Sequence, residues 1–153
     1  METALEGAQI RPIRTDELSN LLALYQHLHP ADPELTVTAE VAELWQRIGA
    51  DRNLHYLGAE VDGRLVASCT LAIIPNLTRG ARPYGLIENV VTHPDFRRRG
   101  LGTALLRAAL RLAWERNCYK VMLFTGRKDE ATLRFYEQAG FEGSVKTGFV
   151  AQP

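Results

Sequence analysis

The segment Arg97-Arg98-Arg99-Gly100-Leu101-Gly102-Thr103 combines residue types and spacing that define a chemistry. An apolar run, Leu86-Ile87-Glu88-Asn89-Val90-Val91, precedes it, and an amphipathic segment from Leu105 to Arg116 follows. A strand, a glycine-containing turn and a helix start, in that order, form a phosphate cradle. The first turn of a helix leaves N–H groups without intrahelical partners, and the helix dipole adds partial positive charge there. Gly100 and Gly102 lack Cβ atoms, so their backbone can approach a pyrophosphate closely. Arg97, Arg98 and Arg99 add charge, and Thr103 offers a hydroxyl. The expected ligand is a phosphorylated cofactor. Glu88 is the second chemical feature, a lone carboxylate inside an apolar strand. Burial would raise its pKa toward the range in which a carboxylate works as a base near neutral pH. A solvent-facing or salt-bridged glutamate is the alternative.

The elements that must position these residues follow from periodicity. Ala8 to Arg14 alternates as a first strand. Thr15 reads as a helix N-cap with Asp16 and Glu17 in the first turn, followed by Leu18, Leu21, Leu22, Tyr25 and Leu28 at helical spacing. Pro30 and Pro33 end that helix. A second helix starts near Thr38, carries Val41, Leu44, Trp45 and Ile48 on one face, and closes at Gly49. His55 to Val61 and Leu65 to Ile74 are strands joined by Asp62-Gly63, a hairpin signal. Leu86 to Thr92 is the next strand, Lys120 to Thr125 a buried one, and Glu130 to Ala139 a helix with an i,i+4 pair, Glu130 and Arg134. Val145 to Val150 reads as a last strand, with room for a short one near Phe141. The order is βααβββαβαβ. It implies an α/β (α+β) fold, a mixed and mostly antiparallel sheet flanked by helices, in one domain over residues 1–153.

Composition narrows the partners. Eighteen basic and eighteen acidic residues balance to a net charge of zero, which argues against nucleic acid. No run approaches membrane-spanning length, and Met1 to Gln9 has no apolar leader core, so a cytoplasmic location is expected. Cys69 and Cys118 lie in apolar segments, the four histidines are not paired at metal-ligand spacing, and no metal is expected. The histidines receive no role. Asn76 to Arg82 is a polar loop whose Arg79 and Arg82 either meet an anionic acceptor or simply face water. Asn76-Leu77-Thr78 matches a glycosylation acceptor, which is disregarded without a secretory signal.

Glu88 to Gly102 resembles the acetyl-CoA-binding motif of the GNAT superfamily of N-acetyltransferases, in which a strand and turn lead into (Gln/Arg)-x-x-Gly-x-(Gly/Ala). Arg97, Gly100 and Gly102 fill the three defining places. Asp129 to Phe141 resembles the second family marker, Asn-x-x-Ala-x-x-Phe-Tyr-x-x-x-Gly-Phe. Asp129 stands where the family has Asn and Thr132 where it has Ala; an ionised Asp accepts but does not donate a hydrogen bond. Ile87-Glu88-Asn89 and Asn117 to Val121 are similar to segments of glucosamine-6-phosphate N-acetyltransferases, which carry Glu-Asp at Glu88-Asn89. The resemblance implies acetyl-CoA as donor and direct attack by a primary amine in a ternary complex, where orientation supplies much of the acceleration. It implies that Val90, Val91 and Thr92 pair with pantetheine like an added strand, a backbone N–H near Val91 polarising the thioester carbonyl. Arg97, Arg98, Arg99, Gly100, Leu101, Gly102 and Thr103 would hold the phosphates, with Asp129 at the pantetheine. Glu88 is then the base, acting through water, and Tyr136 the acid that protonates the leaving thiolate. Phe135 reads as core. The acceptor is expected to be a small molecule, an amino-sugar phosphate being one alternative and a non-catalytic acyl-CoA-binding module another. A homodimer is consistent with the superfamily.

Overall fold

The computed structural model describes residues 7–153; of the segment Met1 to Gln9, residues 1–6 lie outside them. Five strands form one sheet in the order β1-β2-β3-β4-β5. β1 (Ala8–Pro12), β2 (Leu54–Val61), β3 (Arg64–Ile74) and β4 (Tyr84–Thr92) pair antiparallel, and β5 (Val121–Leu123) pairs parallel to β4. The helices are α1 (Leu18–Leu28), α2 (Ala39–Ala50), a single turn α3 (Thr78–Ala81), α4 (Leu101–Glu115) and α5 (Glu130–Gln138).

Local chemistry explains most boundaries. Asp62 and Gly63 adopt φ of 49° and 76°, the left-handed pair that a two-residue hairpin between β2 and β3 demands. The Thr38 hydroxyl accepts from the Val41 N–H and starts α2. Gly49 does not end this helix, which runs on to Ala50. Thr15 is not a cap either. Thr15–Glu17 is a 3-10 turn, and α1 begins at Leu18 because the Glu17 carboxylate takes the Arg14 N–H at 2.7 Å. Glu17 is buried and bidentate to Arg11, which also bonds Glu60 on β2. That staple ties β1 and β2 to the start of α1. It holds the Glu17 carboxyl below the usual range, chiefly through the Arg11 hydrogen bonds.

The core lies on both faces of the sheet. On one face Leu101, Leu105, Leu106, Ala109 and Ala113, which form one apolar stripe along α4, cover Cys69, Leu71, Ile73 and Ile87, with Phe135 and Tyr136 of α5 packed alongside. On the other, Leu21 and Leu24 of α1 and Trp45 of α2 cover Leu65 and Val91. A fully buried leucine contributes about 1.5–3 kcal/mol. The Trp45 indole N–H donates to the Thr15 carbonyl at 2.9 Å. Both cysteines are buried and free.

The expected strand over Val145 to Val150 does not form, nor does one near Phe141. Alternation marks a strand only where a partner edge and a core wait for it. Val145, Phe149 and Val150 are 63%, 92% and 83% exposed, and the segment touches the domain where Gly148 passes the Phe124 ring.

Candidate active site

β4 and β5 stay paired only through Gly85–Val121, Leu86–Met122 and Ile87–Leu123. Past Ile87 the strands part, and a cavity of about 800 Å³ opens between them. Glu88, Asn89, Val90, Val91 and Thr92 form one wall; Phe124, Thr125, Gly126 and Arg127 form the other; the first turn of α4 closes one end.

A bulge in β4 aims this wall. Thr70 pairs with Glu88 and Ser68 with Val91, so two steps along β3 match three along β4. Asn89 takes the extra residue at φ 54°. In consequence Glu88 and Val91 both face α1, although regular alternation would place them on opposite faces. Val91 lies in the α1–α2 core, and Ile87 and Val90 belong to the α4 side.

The arginine run divides its labour. Arg97 Nε donates to the Thr92 carbonyl at 3.1 Å, and Arg99 donates to Asp95 O at 3.0 Å while lying 4.9 Å over the Phe96 ring. Both therefore brace the loop. Arg97 and Arg98 line the cavity with Gly100, Leu101, Gly102 and Thr103; Arg99 does not. Gly100 sits at φ 75° at the head of α4, and Arg98 at φ 60°. The N–H groups of the first helical turn thus point at the cavity end. Gly102 has a further reason to be glycine. A Cβ there would lie 3.0 Å from the Phe135 ring, so its absence lets α4 and α5 pack closely.

Tyr136 lines the cavity too. Burial pushes its phenol pKa up, Arg127 pulls it down, and the Glu88 charge pushes it up again. Glu88 and Tyr136 therefore feel each other across the same space. Glu88 departs from expectation, because it is exposed to the cavity rather than desolvated in the strand. The bulge turns its side chain out of the sheet interior.

Asp129 is not in the cavity wall. Its carboxylate caps α5, accepting the Thr132 N–H at 3.0 Å and the Thr132 hydroxyl at 2.8 Å, and it takes Arg127 Nε at 2.9 Å. The Thr132 bonds, then Arg127, hold its pKa below the usual value. The two departures from the family marker, Asp129 and Thr132, are thus one matched capping pair. Arg79 and Arg82 also lie away from the cavity. Arg82 bonds the carbonyls of Asn117 and Cys118, and Arg79 lies 5.7 Å over the Tyr119 ring. The Asn76 amide is consumed within its own loop, donating to Thr78 and the Arg82 carbonyl.

Residues that sequence reasoning passed over also meet here. His27 and His29, at the end of α1, line the cavity, as does Arg127. The signal for Arg127 is positional, since loops after the carboxyl ends of parallel strands line ligand crevices. Nothing in the pattern of α1 marks its two histidines. Among the described residues no cluster could hold a metal ion.

The Acetyltransferase (GNAT) family model matches residues 21–141. The chain belongs to this family. It is 36% identical over 140 residues to the glucosamine 6-phosphate N-acetyltransferase of Trypanosoma brucei brucei, spanning 91% of this chain and 92% of that one. A solved structure from Agrobacterium tumefaciens str. C58 superposes with a TM-score of 0.89 at 47% identity, over 95% of this chain and 99% of that one. The fold also matches an aminoglycoside N-acetyltransferase solved in complex with CoA, with a TM-score of 0.76 at 20% identity, over 95% of this chain and 94% of that one. The GNAT chain is an N-acetyltransferase, which displaces the reading as a non-catalytic module.

Proposed function

We propose that the protein transfers acetyl from acetyl-CoA to the primary amine of a small molecule, both substrates meeting in the β4–β5 cavity. The observation that carries this reading is the continuity of that cavity, from the N–H-rich head of α4, past the parted edge of β4, to Glu88 and Tyr136. The residues fit the donor. Arg97, Arg98, Gly100, Leu101, Gly102 and Thr103 hold its phosphates, with Arg99 bracing the loop from behind. Val90, Val91 and Thr92 offer backbone groups freed where β4 leaves β5. Acetyl-CoA, when bound, supplies an activated acetyl thioester. A backbone N–H near Val91 polarises its carbonyl. Glu88 takes a proton from the amine through water, and the Tyr136 hydroxyl gives its proton to the departing sulfur. The upward shift at Tyr136 keeps that hydroxyl protonated through neutral and mildly basic pH.

Glu88 faces α1 and the phosphate loop belongs to α4, so the acceptor enters from the α1 side, past His27 and His29, opposite the donor. An amino-sugar phosphate is the acceptor most in keeping with the trypanosomal relative, and Arg127, whose Nε pairs with Asp129, offers its remaining N–H groups to that phosphate. The aminoglycoside enzyme that shares the fold keeps larger amines in view. We place the reaction in the cytoplasm, within a single acetyltransferase domain. No helix among the described residues is long and apolar enough to cross a membrane. The test is thiol release from acetyl-CoA with glucosamine 6-phosphate, glucosamine, aminoglycosides and lysine peptides as acceptors. Saturable turnover with a small amine supports the reading. Turnover confined to peptides would overturn the acceptor class.

A further inference from the structure

Beneath Glu88 lie hydroxyls that the fold leaves without partners. Tyr56 pairs with Thr70 across β2 and β3, and Thr70 pairs with Glu88 across β3 and β4. These three side chains therefore form one row on the α1 face, neighbours in such a row standing about 5 Å apart. Ser68 is one step along, opposite Val91 on the same face. Thr70 is 7% exposed and Ser68 is fully buried. Neither hydroxyl meets a partner at good hydrogen-bond geometry, and neither does the Tyr25 hydroxyl, which approaches both from α1. Burial pushes the Tyr25 phenol up to about 12, against the opposing pull of Thr70 and Ser68, so the three groups are neighbours. An unpaired buried hydroxyl costs about 1–3 kcal/mol. Three together, in a core otherwise built of leucine, valine and tryptophan, are an expense that packing alone does not explain. Such groups are ordinarily satisfied by ordered water. The row runs from this pocket of hydroxyls directly to the carboxylate at the cavity wall.

We propose that Thr70, backed by Tyr25 and Ser68, is a positioning residue for Glu88: through ordered water these hydroxyls hold the carboxylate toward the acceptor amine. The inference rests on the reading of Glu88 as the base. The amine proton passes to the Glu88 carboxylate, and the hydroxyls change no bonds. They donate water-mediated hydrogen bonds to the carboxylate and so fix the direction in which it points. The other charged or titratable groups lining this cavity are Arg127 and Tyr136 beside α5, His27 and His29 from α1, and Arg97 and Arg98 at the α4 end.

Thr70→Val keeps the shape and deletes the hydroxyl. Its expected effects are a fall in kcat of about tenfold, the scale of a hydrogen bond to a charged group, and an unchanged KM for acetyl-CoA. Thr70→Ser restores turnover. The melting temperature changes little, since the side-chain shape is kept and only a water-mediated hydrogen bond is lost. In a Glu88→Gln background, Thr70→Val has no additional effect. If Thr70→Val does not fold, Tyr25→Phe is read by the same measures. Undiminished kcat in Thr70→Val, or an equal loss in the Glu88→Gln background, overturns the positioning role while leaving Glu88 as base. Full turnover by Glu88→Gln alone overturns both.

Discussion

At the residue scale, the proposed chemistry turns on two groups that share one cavity and differ in environment. Glu88 is open to the cavity, whereas Tyr136 is half-buried and pushed toward its protonated form by that burial. This is the division of labour a base and an acid require. Tyr136→Phe deletes only the hydroxyl. Its turnover with acetyl-CoA should fall about a hundredfold, near the lower end for general acid–base catalysis, and the loss should shrink with an acyl donor whose thiol is more acidic. Equal slowing of both donors, read as thiol release, would assign Tyr136 to packing. The raised pKa also sets the basic limb of the wild-type profile above the ordinary tyrosine value, and Tyr136→Phe should remove that limb. The roles proposed for Glu88 and Tyr136 were open to sequence reading because both lie inside family markers. The exposure of Glu88 was not. A carboxylate in an apolar run looks buried, and only the bulge at Asn89 turns it outward. Asp129 could be read as a cofactor contact because a sequence shows residue types but not which oxygen is already used.

At the scale of elements, two junctions hold the site. The first is the contact of α4 with α5 at Gly102. Gly102→Val must displace the Phe135 ring and should cost about 1–3 kcal/mol, the usual range for overpacking. Thermal unfolding would show the loss, and calorimetric titration should show weaker acetyl-CoA binding with it, because the same turn faces the cavity. Undiminished stability would refute the packing role. The second junction is the Arg11–Glu17–Glu60 staple. Glu17 has its pKa lowered by folding. Its contribution is therefore present above the unfolded carboxyl value and is lost as pH falls through the folded one. Glu17→Gln should cost about 2–3 kcal/mol near neutral pH, as for a charged hydrogen-bonded group left half-paired. It should also flatten the fall of stability on the acid side, as followed by denaturant melts. The hairpin at Asp62-Gly63 and the helix α4 were legible because turn chemistry and period act locally. The 3-10 turn at Thr15 was not, because Glu17 took the capping role from Thr15, held in place by Arg11 and, through it, by Glu60 on a distant strand. The strand expected at Val145 failed for a related reason, since pairing depends on an edge elsewhere in the chain.

At the scale of the whole molecule, the proposed reading has donor and acceptor approach from opposite faces of one sheet and meet where β4 and β5 part. The mixed sheet was legible in the element order, but the parting of β4 from β5 after Ile87 depends on three-dimensional twist and has no sequence signature. The central claim is that both substrates occupy the β4–β5 cavity at once and that the amine attacks the thioester directly. Steady-state thiol release measured across both substrate concentrations tests it. The account predicts intersecting double-reciprocal lines and no thiol released before amine is added. Parallel lines, with a stoichiometric burst from acetyl-CoA alone, would mean an acetylated enzyme and would contradict it.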